Sequence, residues 1–313
     1  MEPKRFTRCL AIVITCHALT GASASVRGPA EANPLRPPAL RVAHARVPEM
    51  PALAPSEISQ HYRIRIETDP ARPVAGASAR VTVWIADAQG RPVTTLQLHH
   101  ERLVHFLVVS ANLEEFHHLH AEDFGFLTDD AKRQGRFTFP VTFAHGGDYA
   151  VVLDFVDQGR TVHQGLRLKV DGPPQPATAW RLGRDRKADG LEVRLLTSPD
   201  APEAGSEIEG VLVVSAGGDP VNDLEPYLGA PAHLAIFGEG AATSAHLHGE
   251  AGAGGHDHGS HASAASPGAL GPKIAFGYTF PEPGRYRMFV QFARRGTVYT
   301  VPFDVDVSAR VGR

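Results

Sequence analysis

From Tyr62 onward the chain alternates. Tyr62, Ile64 and Ile66 are separated by Arg63, Arg65 and Glu67. A period of two places one set of side chains on one face of an extended segment. Similar short runs follow at 80–85, 103–109, 136–143, 149–155 and 166–170, and again at 191–196, 209–214, 233–237, 274–280, 286–292 and 301–307. They are rich in β-branched and aromatic residues and bounded by Gly, Pro or Asp, which reads as strands and turns. No stretch shows a sustained helical period. About six or seven strands in roughly 100 residues, occurring twice, predict an all-β protein of two tandem immunoglobulin-like antiparallel β-sandwiches.

The two halves are related by duplication. His105, His118 and His120 recur 128 residues later as His233, His246 and His248. Upstream, Gly90, Pro92 and Val93 answer Gly218, Pro220 and Val221. Downstream, Gly147 and Tyr149 answer Gly284 and Tyr286 at an offset of 137, so the second copy carries an insertion after His248. The expected organisation is a signal peptide at 1–24, a Pro/Ala-rich tether at 25–59 and a first sandwich at 60–171. A linker at 172–190 and a second sandwich at 191–308 follow, the latter holding a His-rich loop at 249–272.

The leader reading rests on Lys4, Arg5 and Arg8 ahead of the apolar run Cys9–Leu19, with Ala22-Ser-Ala24 as a small-residue cleavage site. That run is about half of a membrane span, which marks secretion rather than anchoring. The protein is thus expected to be secreted and periplasmic. Lipid attachment at Cys16 is disfavoured by Thr15 before it. Both cysteines lie in the leader, so thiolate ligands and disulfides are excluded from the rest. Without residues 1–24 the chain holds 28 basic and 33 acidic residues. No basic stripe with interleaved aromatics occurs, which argues against nucleic acid. No further apolar run approaches a transmembrane span.

Imidazole is the commonest metal-ligating side chain. His118 and His120, at i and i+2 on a strand, project from one face roughly 7 Å apart along the backbone. His105 is expected on a neighbouring strand, and the second copy repeats all three as His233, His246 and His248. An all-imidazole donor set suits Cu(II) or Zn(II) better than Cu(I). The competing reading keeps these rings as core residues bonded to backbone, which duplication would copy as faithfully as a ligand. His117 has no counterpart, since Ala245 stands in its place, and His99 and His100 are expected to be solvated. Asp154, matched by Gln291, is a candidate carboxylate behind an imidazole rather than a direct ligand. In the inserted loop, His256, His258 and His261 lie among Gly, Ala and Ser, a composition that captures metals without building a core.

No catalytic constellation is present: Gly-x-Ser-x-Gly, a nucleophilic cysteine and paired carboxylates in a shared motif are all missing. The Gly-rich segments lack the Lys and following helix of a phosphate cradle. The chain is therefore not read as an enzyme.

The run from His105 to His120 and the phrase Pro226-Tyr-Leu-Gly-Ala230 before His233 resemble bacterial secreted β-sandwich proteins of the YtkA-like kind. The resemblance covers roughly residues 60–308. It implies an extracytoplasmic role in the context of heavy metals and copper. Ala121 and Gly249 depart from it, standing where Pro usually follows His-Leu-His. The resulting expectation is a divalent metal-binding protein, for copper or zinc, acting as a buffer, chaperone or donor to a metal-export or envelope partner. The alternative is an adhesion or scaffolding module whose histidines are structural.

Overall fold

The computed structural model describes residues 61–175, 177, 180–252 and 270–310. The expected leader, the tether and the loop histidines His256, His258 and His261 lie outside these residues. The first domain comprises β1 (Tyr62–Asp69), β2 (Ser78–Asp87), β3 (Leu96–Gln97), β4 (Val104–Ser110), β5 (Phe116–Leu119), β6 (Arg136–Thr142), β7 (Gly147–Asp157) and β8 (Arg160–Val170). The second comprises β9 (Asp185–Ala188), β10 (Leu191–Ser198), β11 (Glu207–Ala216), β12 (Asp219–Pro220), β13 (Leu224–Glu225) and β14 (His233–Gly238). It continues with β15 (Ser244–His248), β16 (Glu250–Ala251), β17 (Lys273–Thr279), β18 (Gly284–Arg294) and β19 (Thr297–Val307). Among the described residues, no helix is long and apolar enough to cross a membrane.

Each domain is a two-sheet antiparallel sandwich. In the first, β1-β2-β6 faces a five-stranded sheet in which β7 pairs with β3, β4 and β8, and β4 pairs with β5. In the second, β16-β17-β11-β10-β9 faces a sheet in which β18 pairs with β13, β14 and β19, and β14 pairs with β15. The alternation read in the sequence is real on the outer sheets. β2 and β11 share the same repeating exposed-then-buried order, with Val81, Val83 and Ile85 in one core and Ile208, Leu212 and Val214 in the other. Phe106 stacks on Phe139 at 4.1 Å between ring centres across the first core.

The apolar runs at β4 and β14 do not alternate, and the structure shows why. All residues of both strands are buried. Phe106 and Val108 point into the first sandwich, whereas Leu107 and Val109 point out and pack against the second domain. Leu107, Val109, Leu113, Ala150 and Val152 meet Ala235, Phe237, Ala241 and Phe289 there, and Phe116 stacks on Phe289 at 4.4 Å. A strand buried on both faces has no reason to be polar on either. Arg287 spans the same interface, pairing with Asp304 of its own domain and donating at 2.9 Å to the Leu113 carbonyl of the other. It also pairs with Glu114 of the first domain.

A short helix, α1 (Asp129–Arg133), was not expected from the strand pattern. At five residues it is too short to display a period. Its signals are local: the Thr128 hydroxyl accepts from the Ala131 amide at 3.1 Å, with acids in the first turn and bases in the last.

The repeated tyrosines have a specific role. The Tyr149 hydroxyl donates to the His145 carbonyl at 2.9 Å, and that of Tyr286 to the Glu282 carbonyl at 2.8 Å. Each closes back on the chain four residues upstream, the tyrosine corner of Greek-key sandwiches. Tyr149 also lies 2.6 Å from a carboxylate oxygen of Glu115, which accepts from the Ala144 amide and pairs with His117. Burial pushes the Glu115 carboxyl upward, but the bonds from His117, Tyr149 and Ala144 together hold it below its ordinary value. A carboxylate depressed in the fold stabilises it above the unfolded pKa and loses that effect as pH falls through the folded one. Glu115→Gln is therefore expected to lower stability at neutral pH and to flatten its decline between about pH 5 and 3. Tyr286→Phe should cost about 1 kcal/mol for its single lost bond, and Tyr149→Phe more. Urea denaturation of each variant across that pH range measures all three.

Candidate metal centre

Strand pairing decides which histidines meet. In the β4–β5 hairpin Phe106 faces Leu119 and Leu107 faces His118. One step further along this register brings His105 opposite His120. All three rings therefore stand on the outward face of the inner sheet, beside Leu107, where the second domain covers them. The second hairpin is the same: His233 faces His248 and Ala235 faces His246. On the far side of β4 and β14, His105 faces Asp154 and His233 faces Gln291.

The first triad is tight. His105 Nδ1 lies 3.0 Å from His118 Nε2 and 3.2 Å from His120 Nε2, and the last two are 3.1 Å apart. The other nitrogen of each ring is already committed. His105 Nε2 donates to the His99 carbonyl at 2.9 Å, and His120 Nδ1 to Asp123 at 3.0 Å. His118 Nδ1 donates at 2.7 Å to the Gln291 side-chain oxygen, whose amide nitrogen is oriented by Thr300 at 2.9 Å. A carbonyl or carboxylate can only accept, so each ring carries its proton on that side. The three remaining nitrogens present lone pairs to one another. In a neutral site that arrangement is repulsive and leaves buried acceptors without donors.

A cation removes the conflict. Nitrogens bound at about 2.0–2.1 Å to one tetrahedral ion are separated by about 3.4 Å, close to what is seen. Burial holds the His105 and His118 rings in the neutral, ligating form. The pKa of His105 is pushed down to about 2, first by desolvation and then by His246 and His120. Those of His118 and His233 are lowered for the same reasons, burial before neighbouring rings.

The second set repeats the strand placement of the first but closes only between His233 and His246. His233 Nδ1 is 3.2 Å from His246 Nε2, and His233 Nε2 donates to the Tyr227 carbonyl at 3.0 Å. His246 Nδ1 meets Asp154 of the first domain at 2.8 Å. His248 Nε2 is buried and has no hydrogen-bond partner among the described residues. Asp154 is itself buried and also pairs with His163, which reaches on to Ser244 at 2.8 Å. Burial raises the Asp154 carboxyl, yet its bonds to His163 and His246 bring it far below the ordinary value. The Asp154 bond to His163 lifts that ring above its ordinary pKa, against the downward pull of burial.

His99 and His100, expected to be solvated, are half-buried. They sit in a tight turn in which His100 and Glu101 have positive φ of 47° and 66°, matched by Leu228 and Gly229 at 50° and 74°. Positive φ at both central positions is the type I′ geometry. It presses the His100 ring onto His248, 3.4 Å between centres, and makes His99, His100 and His248 a second group with ligand atoms within 4.8 Å of one another. His117 points away to Glu115 at 2.8 Å and takes no part. The residues missed in the sequence are His163, Gln291 and Asp123. The hairpin turn at Gly159 sets His163 opposite Asp154, and the repeat sets Gln291 where Asp154 stands, so both had a signal. That Asp154 would serve the other domain's imidazole had none.

Among solved structures, the Escherichia coli adhesin FdeC is similar over 78% of this chain at 14% identity, with a TM-score of 0.22. Invasin, a bacterial integrin-binding protein, gives the same coverage and identity with a TM-score of 0.22, and the D1–D4 ectodomain fragment of ICAM-5 gives 79%, 10% and 0.23. The chain spans 64%, 39% and 54% of these structures respectively. No curated protein matches it. One family does, described as a domain of unknown function (DUF8832), at residues 57–172 and again at 186–309. One match falls on each sandwich, and the chain belongs to the DUF8832 family as a tandem pair of its domain.

Proposed function

We propose that the protein binds divalent transition-metal ions, copper or zinc, through the imidazoles buried between its two domains. The observation that carries this reading is the first triad: three ring nitrogens 3.0–3.2 Å apart, each with its proton fixed on the opposite side. Core histidines kept for packing would pair ring N–H with acceptor, not lone pair with lone pair. The donor set is all nitrogen, which suits Cu(II) and Zn(II). His105, His118 and His120 hold one ion; His233 and His246 repeat the first pair, and His248 adds its ring beside His99 and His100. The ion serves as a charge that neutralises the converging lone pairs. Gln291, Asp123, Asp154 and two backbone carbonyls keep the rings in place.

The leader-like segment 1–24 and the YtkA-like resemblance support an extracytoplasmic setting, where the protein acts as a buffer, chaperone or donor to an export system. His256, His258 and His261 add weak capture.

Equilibrium dialysis with Cu(II) and Zn(II) tests the assignment. Deleting 253–269 should lower the number of ions bound and leave the tightest site intact, whereas His118→Ala with His120→Ala should remove a tight site. The opposite pattern would make the strand histidines structural and favour the adhesion or scaffolding reading. Asp154→Asn, which keeps the shape but weakens the bond behind His246, should reduce affinity about 10- to 100-fold. A competition titration against a chelator reads that change.

A further inference from the structure

His99 and His100 depart from the repeat. The second copy places Tyr227 and Leu228 at their positions, 128 residues on. Both turns do the same backbone work. The His99 amide donates to the Arg102 carbonyl at 2.8 Å and the Tyr227 amide to the Ala230 carbonyl at 2.8 Å, with a return bond of 3.1 Å in each. The His99 carbonyl accepts from His105 as the Tyr227 carbonyl accepts from His233. Tyr227 and Leu228 hold the same positive-φ turn, so its geometry does not call for two imidazoles.

His248 departs from the repeat at the other end. Its counterpart His120 turns Nε2 toward His105 and His118. The buried His248 Nε2 has no hydrogen-bond partner among the described residues. The His248 ring instead stacks on His100 at 3.4 Å between centres, with 21° between the planes, and meets His99 edge-on at 5.4 Å. One ligand atom from each of His99, His100 and His248 lies within 4.8 Å of the others.

We propose that His99, His100 and His248 form a second, separate site for a divalent transition-metal ion, built across the domain interface with two ligands from the first domain and one from the second. The inference rests on the same reading of interface imidazoles as ligands, but on side chains separate from His105, His118 and His120. Rings stacked as His100 and His248 are can hold two nitrogens at the roughly 3.4 Å found on a tetrahedral ion. An ion there gives the buried His248 nitrogen the partner it lacks. Burial brings the pKa of His100 down to about 4 and lowers His99 and His248 as well, with neighbouring rings adding to it, so all three are neutral at pH 7. The rings are half-buried, and a fourth coordination position is left for water. The repeat makes no mirror-image site. Tyr227 and Leu228 offer no imidazole, and His120 is engaged by His105, His118 and Asp123.

The test uses the full chain carrying His256→Ala, His258→Ala and His261→Ala, which removes the competing loop. Zn(II) alone is titrated by calorimetry, and two ions per chain are expected. His99→Tyr with His100→Leu, which writes the second copy's own turn residues into the first, should lose one ion and keep the other. His248→Ala, a change in the opposite domain, should lose the same ion. His118→Ala with His120→Ala should lose the other one. Each variant should keep the far-ultraviolet dichroism of the parent. An ion count unchanged by the turn variant or by His248→Ala would overturn this site while leaving the first triad standing. A single ion lost in both and kept in His118→Ala with His120→Ala would retain this site and remove the first triad. No zinc uptake at all would remove both readings.

Discussion

The contact on which the structure depends is the packing of two inner sheets, β4–β7 of the first domain against β14–β18 of the second. Leu107, Val109 and Val152 on one side and Ala235, Phe237 and Phe289 on the other remove each other from water. That burial, favourable at roughly 25 cal/mol per Å² of apolar surface, offsets the cost of desolvating a row of imidazoles at its edge. Without the second domain, His118 would lose Gln291 and stand open to solvent. With it, the rings are buried and oriented, and the lone pairs of His105, His118 and His120 converge.

Duplication made the two halves, and later divergence made them unequal. His105 and His233 keep the same bond to a turn carbonyl, from His99 and Tyr227. His120 has Asp123 behind it, while Ala251 occupies the corresponding place after His248, where the His100 ring stacks instead. Asp154 and Gln291 occupy the same register position but differ in charge. A carboxylate behind an imidazole raises its basicity more than an amide does. At this position the carboxylate-backed ring is His246 in the second half and the amide-backed ring is His118 in the first, whereas His120 of the first half has its own carboxylate, Asp123.

The wider fold spreads the same logic. Tyr149 and Tyr286 lock the corners from which β7 and β18 start, and those strands carry Asp154 and Gln291. Arg287 crosses between domains a few residues from Gln291, bonding Asp304, Glu114 and the Leu113 carbonyl. A buried guanidinium is stable only when fully bonded, so these partners fix how the sheets approach. The outer sheets, with alternating polar faces, carry no such demand.

Much was legible in the chain itself. Alternation at β1, β2, β10 and β11 gave strands with one wet face, because a half-buried strand must change polarity every residue. The repeat gave two sandwiches and the matching histidines, and the i, i+2 spacing put His118 with His120 on one face. The unbroken apolar runs at β4 and β14 identified strands but not what their second faces met. Periodicity records whether a face is buried, not by whom. Tertiary structure alone decided that the outward faces meet each other, that Gln291 and Asp154 exchange domains, that His163 backs Asp154, and that a type I′ turn folds His99 and His100 inward. Those relations join residues up to 173 positions apart, and no local propensity carries a distance of that length.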